Sequence, residues 1–246
     1  MPPCFRPSIA CLGLIATVLG SGVLLGLLWM LASPASYVAL TDRLAWRMAW
    51  PDSTQIRLED TTTRLHLRGD ALVRQGDILL FGDSHLHGLP ASALPRTSNY
   101  AIGGETAERL AQRLPRYGSV QRAGLVILLT GRNDLVGNAP PITIARAYDQ
   151  IMQDIPAATP MITLAIPPGI ESPAKLALLD ETNRLLAARC RTRAGCEFLA
   201  LDLADAEGKL AAAYDAGDGI HLNTAGYQLL QAAIAKALPP APSLAR

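Results

Sequence analysis

Three short motifs in this sequence carry side chains that could act together as a nucleophilic site. Ser84 lies in FGDS, Asn133 lies in GRND, and both Asp218 and His221 lie in DGIHLN. A serine becomes a nucleophile when a histidine removes its proton, and a carboxylate can fix the tautomer of that histidine. Since Asp218 precedes His221 by three residues across a glycine turn, we predict a triad of Ser84, His221 and Asp218 that attacks a carbonyl carbon.

Attack on a carbonyl leaves a negatively charged oxygen, which needs hydrogen-bond donors. The motif NYAIGGETA contains Gly103 and Gly104, and a glycine amide can approach an anion without interference from a side chain. The side-chain amide of Asn133 is a further donor. Each motif taken alone also fits an ordinary turn or helix cap, so the prediction depends on their occurring together and in this order.

The other histidines have less specific roles. His85 and His87 follow the serine closely enough to mimic a metal-binding pair with Asp83. No cysteine or further histidine is obviously placed to complete such a site, so we expect no metal and no other cofactor. We expect these two histidines to line the pocket or to bond locally, and His66 to be a satisfied or exposed strand residue.

The motifs must be brought together by a scaffold, and the sequence from residue 77 onward predicts one. Short apolar runs alternate there with longer segments of helical period, a pattern typical of parallel strands joined by helices. The predicted strands cover residues 78–81, 98–102, 125–130, 161–166 and 197–203, and the predicted helices cover residues 105–114, 142–154, 173–189 and 224–237. We therefore predict one open, doubly wound α/β sheet, in which ligands bind beyond the carboxyl ends of the strands.

The amino-terminal residues 1–36 form a separate predicted segment. Residues 9–32 are an almost unbroken apolar stretch that, as a helix, would span about 36 Å, enough to cross a hydrocarbon core of about 30 Å. A membrane anchor is one interpretation. A cleaved signal peptide is the other, because small residues follow the stretch, although the apolar region of a signal peptide is usually shorter. The flanking charges nearly balance, so they do not fix the orientation.

Residues 37–76 are predicted to be a juxtamembrane segment, followed by the α/β domain over residues 77–246. Within the juxtamembrane segment, residues 55–68 alternate leucine and isoleucine with polar neighbours around a threonine-rich centre. This alternation predicts an added β-hairpin.

Charge and cysteine content limit the partners and the compartment. The chain has 22 basic and 21 acidic side chains, a net charge of +1, so we expect no nucleic-acid partner. Protein partners cannot be named from the sequence. Cys190 and Cys196 are close enough for a small disulfide loop, which would place the domain outside the cytoplasm, and two unpaired thiols are the alternative.

The four motifs together resemble those of the SGNH hydrolases, the GDSL-like esterase and lipase superfamily, in the family's order. The similarity extends over roughly residues 77–237. It implies a three-layer α/β/α sandwich of flavodoxin type, with Ser84 as the nucleophile. It also implies an oxyanion hole formed by the backbone amides of Ser84 and Gly104 and by the side chain of Asn133.

Two positions depart from the family's common pattern. His85 stands where many relatives have leucine, and Arg132 stands where a small residue is common. We expect both at the mouth of the pocket, where they would influence substrate choice. Arg132 could pair with an anionic group of the substrate, or it could be a solvated side chain or form an ion pair with Glu105 or Asp134.

The resemblance and the residues together predict a serine esterase. Aromatic residues make up only 5% of the chain, and no long insertion separates the motifs, which favours a short acyl group such as acetyl on a carbohydrate or cell-envelope polymer. Two alternatives stay open. One is an O-acetyltransferase of polysaccharide, and the other is a catalytically silent binding module of an envelope complex.

Overall fold

A computed structural model describes residues 53–169 and 172–238 of the chain. The chain divides into two compact units, residues 1–56 and residues 57–246, and nearly all of the first lies outside the described residues. The predicted membrane segment, residues 9–32, also lies outside them. Within the described part, no helix combines the length and the apolar character needed to cross a bilayer.

The core of the larger unit is a parallel sheet, as predicted. Its strands are β1 (Ile78–Gly82), β2 (Thr97–Asn99), β3 (Leu125–Leu129), β4 (Met161–Leu164) and β5 (Cys196–Leu199). The spatial order is β2-β1-β3-β4-β5, and all neighbouring strands run parallel. This is the flavodoxin-like order, which places the point where the winding reverses beside β1.

Helices cover both faces of the sheet. The described helices are α1 (Ser53–Asp70), α2 (Ser84–His87), α3 (Ala107–Arg113), α4 (Arg132–Val136), α5 (Pro141–Asp154), α6 (Pro173–Thr192) and α7 (Thr224–Ala237). Leu79 and Phe81 of β1 pack into one apolar cluster, which includes residues of α3, α5 and α6. Leu80 packs into the other cluster, which includes residues of α7. Because successive side chains of a strand point to opposite faces, the sheet is the middle of three layers.

Residues 55–68 do not form the predicted hairpin, because they belong to the helix α1. The inner face of this helix carries polar side chains at helical spacing: Glu59, Thr63, His66 and Asp70. Glu59, for example, forms a 2.5 Å ion pair with Arg109 of α3. Of the leucines that suggested a strand, Leu58 and Leu65 point outward and are 50% and 56% exposed, whereas Leu67 is partly buried and packs against the core. The helix is therefore fastened to the domain mainly by its polar face.

The carboxyl end of α6 is joined covalently to the edge strand β5. Cys190 and Cys196 form a disulfide bond across a sequence separation of 6. Of the two interpretations that the sequence left open, the disulfide is the one found.

Candidate active site

The end of β1 delivers Ser84 to the carboxyl edge of the sheet. A β-carbon on Gly82 would lie 2.0 Å from the carbonyl oxygen of Leu129, so only glycine lets β1 approach β3 this closely. The next amide, that of Asp83, donates a 3.0 Å hydrogen bond to the same carbonyl. Asp83 then caps the short helix α2, which begins at Ser84. The strand end thus fixes the position of the serine.

The three residues of the predicted triad form one hydrogen-bonded chain. Ser84 Oγ lies 2.9 Å from His221 Nε2, and His221 Nδ1 lies 2.6 Å from Asp218 Oδ2. The other carboxylate oxygen accepts hydrogen bonds from the backbone amides of Ile220 and His221, at 3.0 and 2.8 Å. The hydrogen bond from the His221 ring is the largest cause that lowers the pKa of Asp218 to about 2. Asp218 is therefore an ionised acceptor at neutral pH, and it holds the ring proton on Nδ1.

The tautomer fixed in this way leaves Nε2 of His221 as the acceptor that faces the hydroxyl of Ser84. The distance of 2.9 Å is within the reach of a general base. The side chains of His221 and Asp218 are 43% and 51% exposed, so solvent and substrate can reach them. This arrangement can remove a proton from Ser84 and return it to a leaving group.

The turn after β2 brings Gly103 and Gly104 beside the nucleophile. Gly104 has φ of +79°, a left-handed conformation that glycine adopts without steric cost. The amide of Gly103 donates a 3.0 Å hydrogen bond to Nδ1 of His87, and a β-carbon on Gly103 would lie 3.8 Å from the β-carbon of Ser84. Among residues 53–169 and 172–238, none accepts a hydrogen bond from the Gly104 amide.

The motif that follows β3 clamps this glycine turn. Asn133 Nδ2 donates to the carbonyl of Glu105 at 2.9 Å, and Asp134 Oδ2 accepts from the amide of Ala107 at 2.9 Å. A side-chain amide has two N–H groups, so Asn133 has one left for a ligand. Burial raises the pKa of Asp134 to about 6. The donors predicted from two separate motifs are thus held in one rigid unit.

Glu105 supplies a buried ionic support below the glycine turn. Its carboxylate is fully buried and accepts from both Nε and Nη2 of Arg113, the second at 2.7 Å. Burial raises the pKa of Glu105 to about 7, and the guanidinium of Arg113 opposes that rise. The carboxylate of Glu105 is thus engaged by Arg113, whereas one of the sequence interpretations paired it with Arg132.

The expectation that His85 and Arg132 lie at the mouth of the pocket is wrong. Arg132 is 2% exposed, and its Nη2 occupies space that Gly169 leaves open, since a β-carbon there would lie 2.1 Å from it. His85 is fully buried. Both side chains turn inward, so neither is placed to select a substrate. Of the two histidines after the nucleophile, only His87 is exposed.

The contacts of His85 could not be predicted from the sequence. Its Nδ1 lies 3.2 Å from Asp83 Oδ1, and its Nε2 lies 3.1 Å from the carbonyl oxygen of Ile220. The only signal was the unusual residue type directly after the serine. His66, expected on a strand, lies on α1 within 3.3 Å of the Tyr117 hydroxyl, and burial lowers its pKa to about 4.

A parallel α/β/α sandwich with this Ser-His-Asp chain at its carboxyl edge has the architecture of an SGNH-type acylhydrolase. The model of the GDSL-like Lipase/Acylhydrolase family matches residues 69–229. The chain therefore belongs to the GDSL-like lipase and acylhydrolase family. A search among curated protein sequences found no match to the chain.

Solved structures share the fold at low sequence identity. A Streptococcus pneumoniae protein provisionally described as a platelet activating factor has a TM-score of 0.69 at 21% identity, over 84% of this chain and 100% of its own. The catalytic domain of a peptidoglycan O-acetyltransferase from the same species has a TM-score of 0.52 at 19% identity, over 67% and 94%. A carbohydrate esterase of family 3 from Talaromyces cellulolyticus has a TM-score of 0.51 at 18% identity, over 66% and 95%.

Proposed function

We propose that the chain is a serine esterase that works through an acyl-enzyme on Ser84. The observation that carries this proposal is the continuous hydrogen-bonded chain from Ser84 through His221 to Asp218, with links of 2.9 and 2.6 Å. His221 takes the proton of Ser84 while the hydroxyl oxygen bonds to the ester carbonyl carbon. Asp218 stabilises the imidazolium that results, and the imidazolium then protonates the departing alcohol.

The second half of the reaction repeats these proton transfers with water. His221 removes a proton from a water molecule, the water oxygen attacks the acyl carbon, and Ser84 leaves as its hydroxyl with the proton from His221. In both halves the substrate oxygen becomes negative, and we propose that it accepts hydrogen bonds from the amides of Ser84 and Gly104 and from Asn133. Asn133 is preorganised for this role because Glu105 already holds its amide group.

We propose a short acyl group, acetyl above all, carried by a carbohydrate or another cell-envelope polymer. The exposure of His221 and Asp218, 43% and 51%, supports a site that an ester on a bulky polymer can reach from solvent. Proteins of the same fold include a carbohydrate esterase and a peptidoglycan O-acetyltransferase.

The direct test is labelling of the full-length chain with a fluorophosphonate, followed by hydrolysis of p-nitrophenyl esters of rising acyl length. Wild type should incorporate one label on Ser84 and should hydrolyse acetate faster than octanoate. Ser84→Ala should lose both activities, whereas the matched variant Ser92→Ala, at an exposed serine of the next turn, should retain them. Absence of labelling in folded wild type would favour the silent binding module.

A second candidate is transfer of the acetyl group to a sugar hydroxyl in place of water. The fold shared with a peptidoglycan O-acetyltransferase domain favours it, and the acyl-enzyme would be the same. The two functions differ in their products. An esterase releases acetate at the same rate with and without a polysaccharide acceptor, whereas a transferase forms acetylated acceptor at the expense of acetate.

We also propose that residues 9–32 anchor the chain in a membrane, with the domain on its oxidising, extracytoplasmic side. The disulfide between Cys190 and Cys196 supports an oxidising compartment. Thiol alkylation of intact cells before and after reduction would show whether the bond exists there. The mass of the protein extracted from membranes would show whether residues 1–36 are retained, as an anchor requires, or removed.

A further inference from the structure

His85 connects the helix of the nucleophile to the loop of the predicted base. It is fully buried, and each of its ring nitrogens meets an oxygen atom. Nδ1 lies 3.2 Å from Oδ1 of Asp83, which is also fully buried, and Nε2 lies 3.1 Å from the carbonyl oxygen of Ile220. Ile220 directly precedes His221, although it is 135 residues from His85 in the sequence.

The direction of the bond to Ile220 follows from what its atoms can do. A carbonyl oxygen only accepts hydrogen bonds, so Nε2 of His85 must carry the proton. On the other side of the ring, Nδ1 faces the carboxyl group of Asp83. His85 therefore donates from Nε2 to the carbonyl of Ile220.

This bond completes the restraint on the peptide group that joins Ile220 to His221. The N–H end of that group donates to Asp218 at 2.8 Å, and the C=O end accepts from His85 at 3.1 Å. A peptide group is planar, so holding both ends fixes the orientation of the plane. The plane in turn limits the direction in which the β-carbon of His221 leaves the backbone.

The loop before His221 is held by hydrogen bonds within itself, among them one from the amide of Ala216 to the carbonyl of His221 at 2.9 Å. Gly217 and Gly219 have φ values of +103° and +75°, and glycine is the residue with the greatest conformational freedom. Asp215 restrains the loop by accepting hydrogen bonds from both glycine amides at 2.9 Å, but both bonds lie within the loop. The bond from His85 differs, because it ties the loop to the helix that carries the nucleophile.

We propose that His85 is a positioning residue, which aligns the imidazole of His221 with Ser84 through the Ile220 carbonyl. Because His85 is adjacent to Ser84, one short helix sets the place of both the attacking oxygen and its base. The two imidazole rings lie 5.8 Å apart, so His85 acts on the backbone of the loop and not on the substrate. The proposal rests on the esterase function proposed above.

Two substitutions at this position separate the two bonds of His85. In His85→Gln the side-chain amide nitrogen can take the place of Nε2 and donate to Ile220. In His85→Asn the amide nitrogen can take the place of Nδ1 and bond to Asp83, while the Ile220 carbonyl loses its donor. Both variants remove the ring from the same buried position. Glutamine refills more of that space than asparagine does, so packing alone predicts a higher melting temperature for glutamine, but no difference in kcat below the melting transitions.

We expect His85→Asn to lose about 10²-fold in kcat with KM near the wild-type value, since a displaced catalytic group costs about that much. We expect His85→Gln to stay within about tenfold of wild type. Melting temperatures, measured on the same full-length preparations, should fall in both variants. The second-order rate of fluorophosphonate labelling of Ser84 should follow the order wild type, glutamine, asparagine.

Equal rates in the two variants, or a faster asparagine variant, would overturn the positioning role. Should either variant fail to fold, the same pair is made together with Asp83→Asn, which keeps a helix cap and replaces the buried carboxyl group by an amide. The comparison of glutamine with asparagine then applies unchanged. Failure of wild type to label or to hydrolyse any ester would instead refute the proposed function, so the two failures are distinguishable.

Discussion

Replacement of Asn133 by alanine tests the proposed oxyanion hole most directly. The side-chain amide of Asn133 has two N–H groups, and one of them donates to the carbonyl of Glu105 at 2.9 Å. Alanine removes both donors at once. Loss of the bond to Glu105 lowers the stability of the fold, whereas loss of the other N–H removes a donor to the oxyanion and affects only the transition state. The two consequences can therefore be measured separately.

The two losses differ in size. A hydrogen bond such as the one to Glu105 contributes about 0.5 to 1.5 kcal/mol to stability, which corresponds to a fall of about 2 to 5 °C in melting temperature for a domain of this size. Loss of an oxyanion donor typically costs about 2.7 to 4 kcal/mol in the transition state, or about 10²- to 10³-fold in kcat. We therefore expect Asn133→Ala to fold and melt slightly below wild type, but to turn over at a hundredth of its rate or less.

Asn183→Ala is the matched control. Asn183 accepts from the amide of Ile166 at 2.9 Å and donates to its carbonyl at 3.0 Å, so its loss should cost more stability than the loss of Asn133. Its kcat for p-nitrophenyl acetate should nevertheless stay near wild type. A rate for Asn133→Ala within about threefold of wild type, measured below the melting transition of both proteins, would remove Asn133 from the mechanism.

Three further predictions concern stability. Burial raises the pKa of Asp134 from 3.8 to about 6. The protonated carboxyl group therefore adds to the free energy of unfolding fully below about pH 4, and this stabilisation is lost as the pH rises through 6. Between pH 4 and 7 the free energy of unfolding of wild type should therefore fall by on the order of 2 kcal/mol relative to that of Asp134→Asn, measured from melting curves. The same pH dependence in both proteins would contradict this. Replacing both Cys190 and Cys196 by serine should cost about 2 kcal/mol of stability but little activity, and dithiothreitol should reproduce that loss in wild type alone. Gly82→Ala should yield little folded protein, since its β-carbon would lie 2.0 Å from a carbonyl oxygen of β3, whereas Gly69→Ala, with nothing within 4 Å, should be tolerated; a normally folded Gly82→Ala protein would refute the steric reasoning.

The strands and the triad could be predicted because their signals are short in range. The apolar run of residues 125–130 predicted a buried strand, and the structure has β3 at Leu125–Leu129. In a parallel sheet, residues that follow successive strands must emerge at the same edge. For that reason the order of the motifs was enough to place Ser84 near Asn133. His221 does not directly follow a strand, because it lies well beyond β5 and just before α7, so its distance from Ser84 could not be derived from the sequence.

The contacts that involve distant polar partners could not be predicted in this way. The polar inner face of α1 is satisfied by partners such as Arg109 and Ser119, which lie far along the chain. Those partners cannot be identified from the sequence, in which the alternation of apolar and polar residues around a threonine-rich centre predicts a hairpin instead. Arg132 similarly has room in the interior only because Gly169 lacks a side chain. Whether a charged side chain is buried depends on its surroundings in the fold. Residue type alone predicts that an arginine lies at the surface.

The site separates the groups that would react from the groups that hold them in place. The side chains of His221 and Asp218 are about half exposed, whereas the supporting side chains of Asp83, His85 and Glu105 are fully buried. Buried hydrogen-bonded groups have few alternative arrangements, so they can fix the geometry without contact with the substrate. Substitutions among the buried supports should consequently lower the rates for all esters by a similar factor. A change in the preferred acyl group must instead come from residues that line the exposed side of the triad.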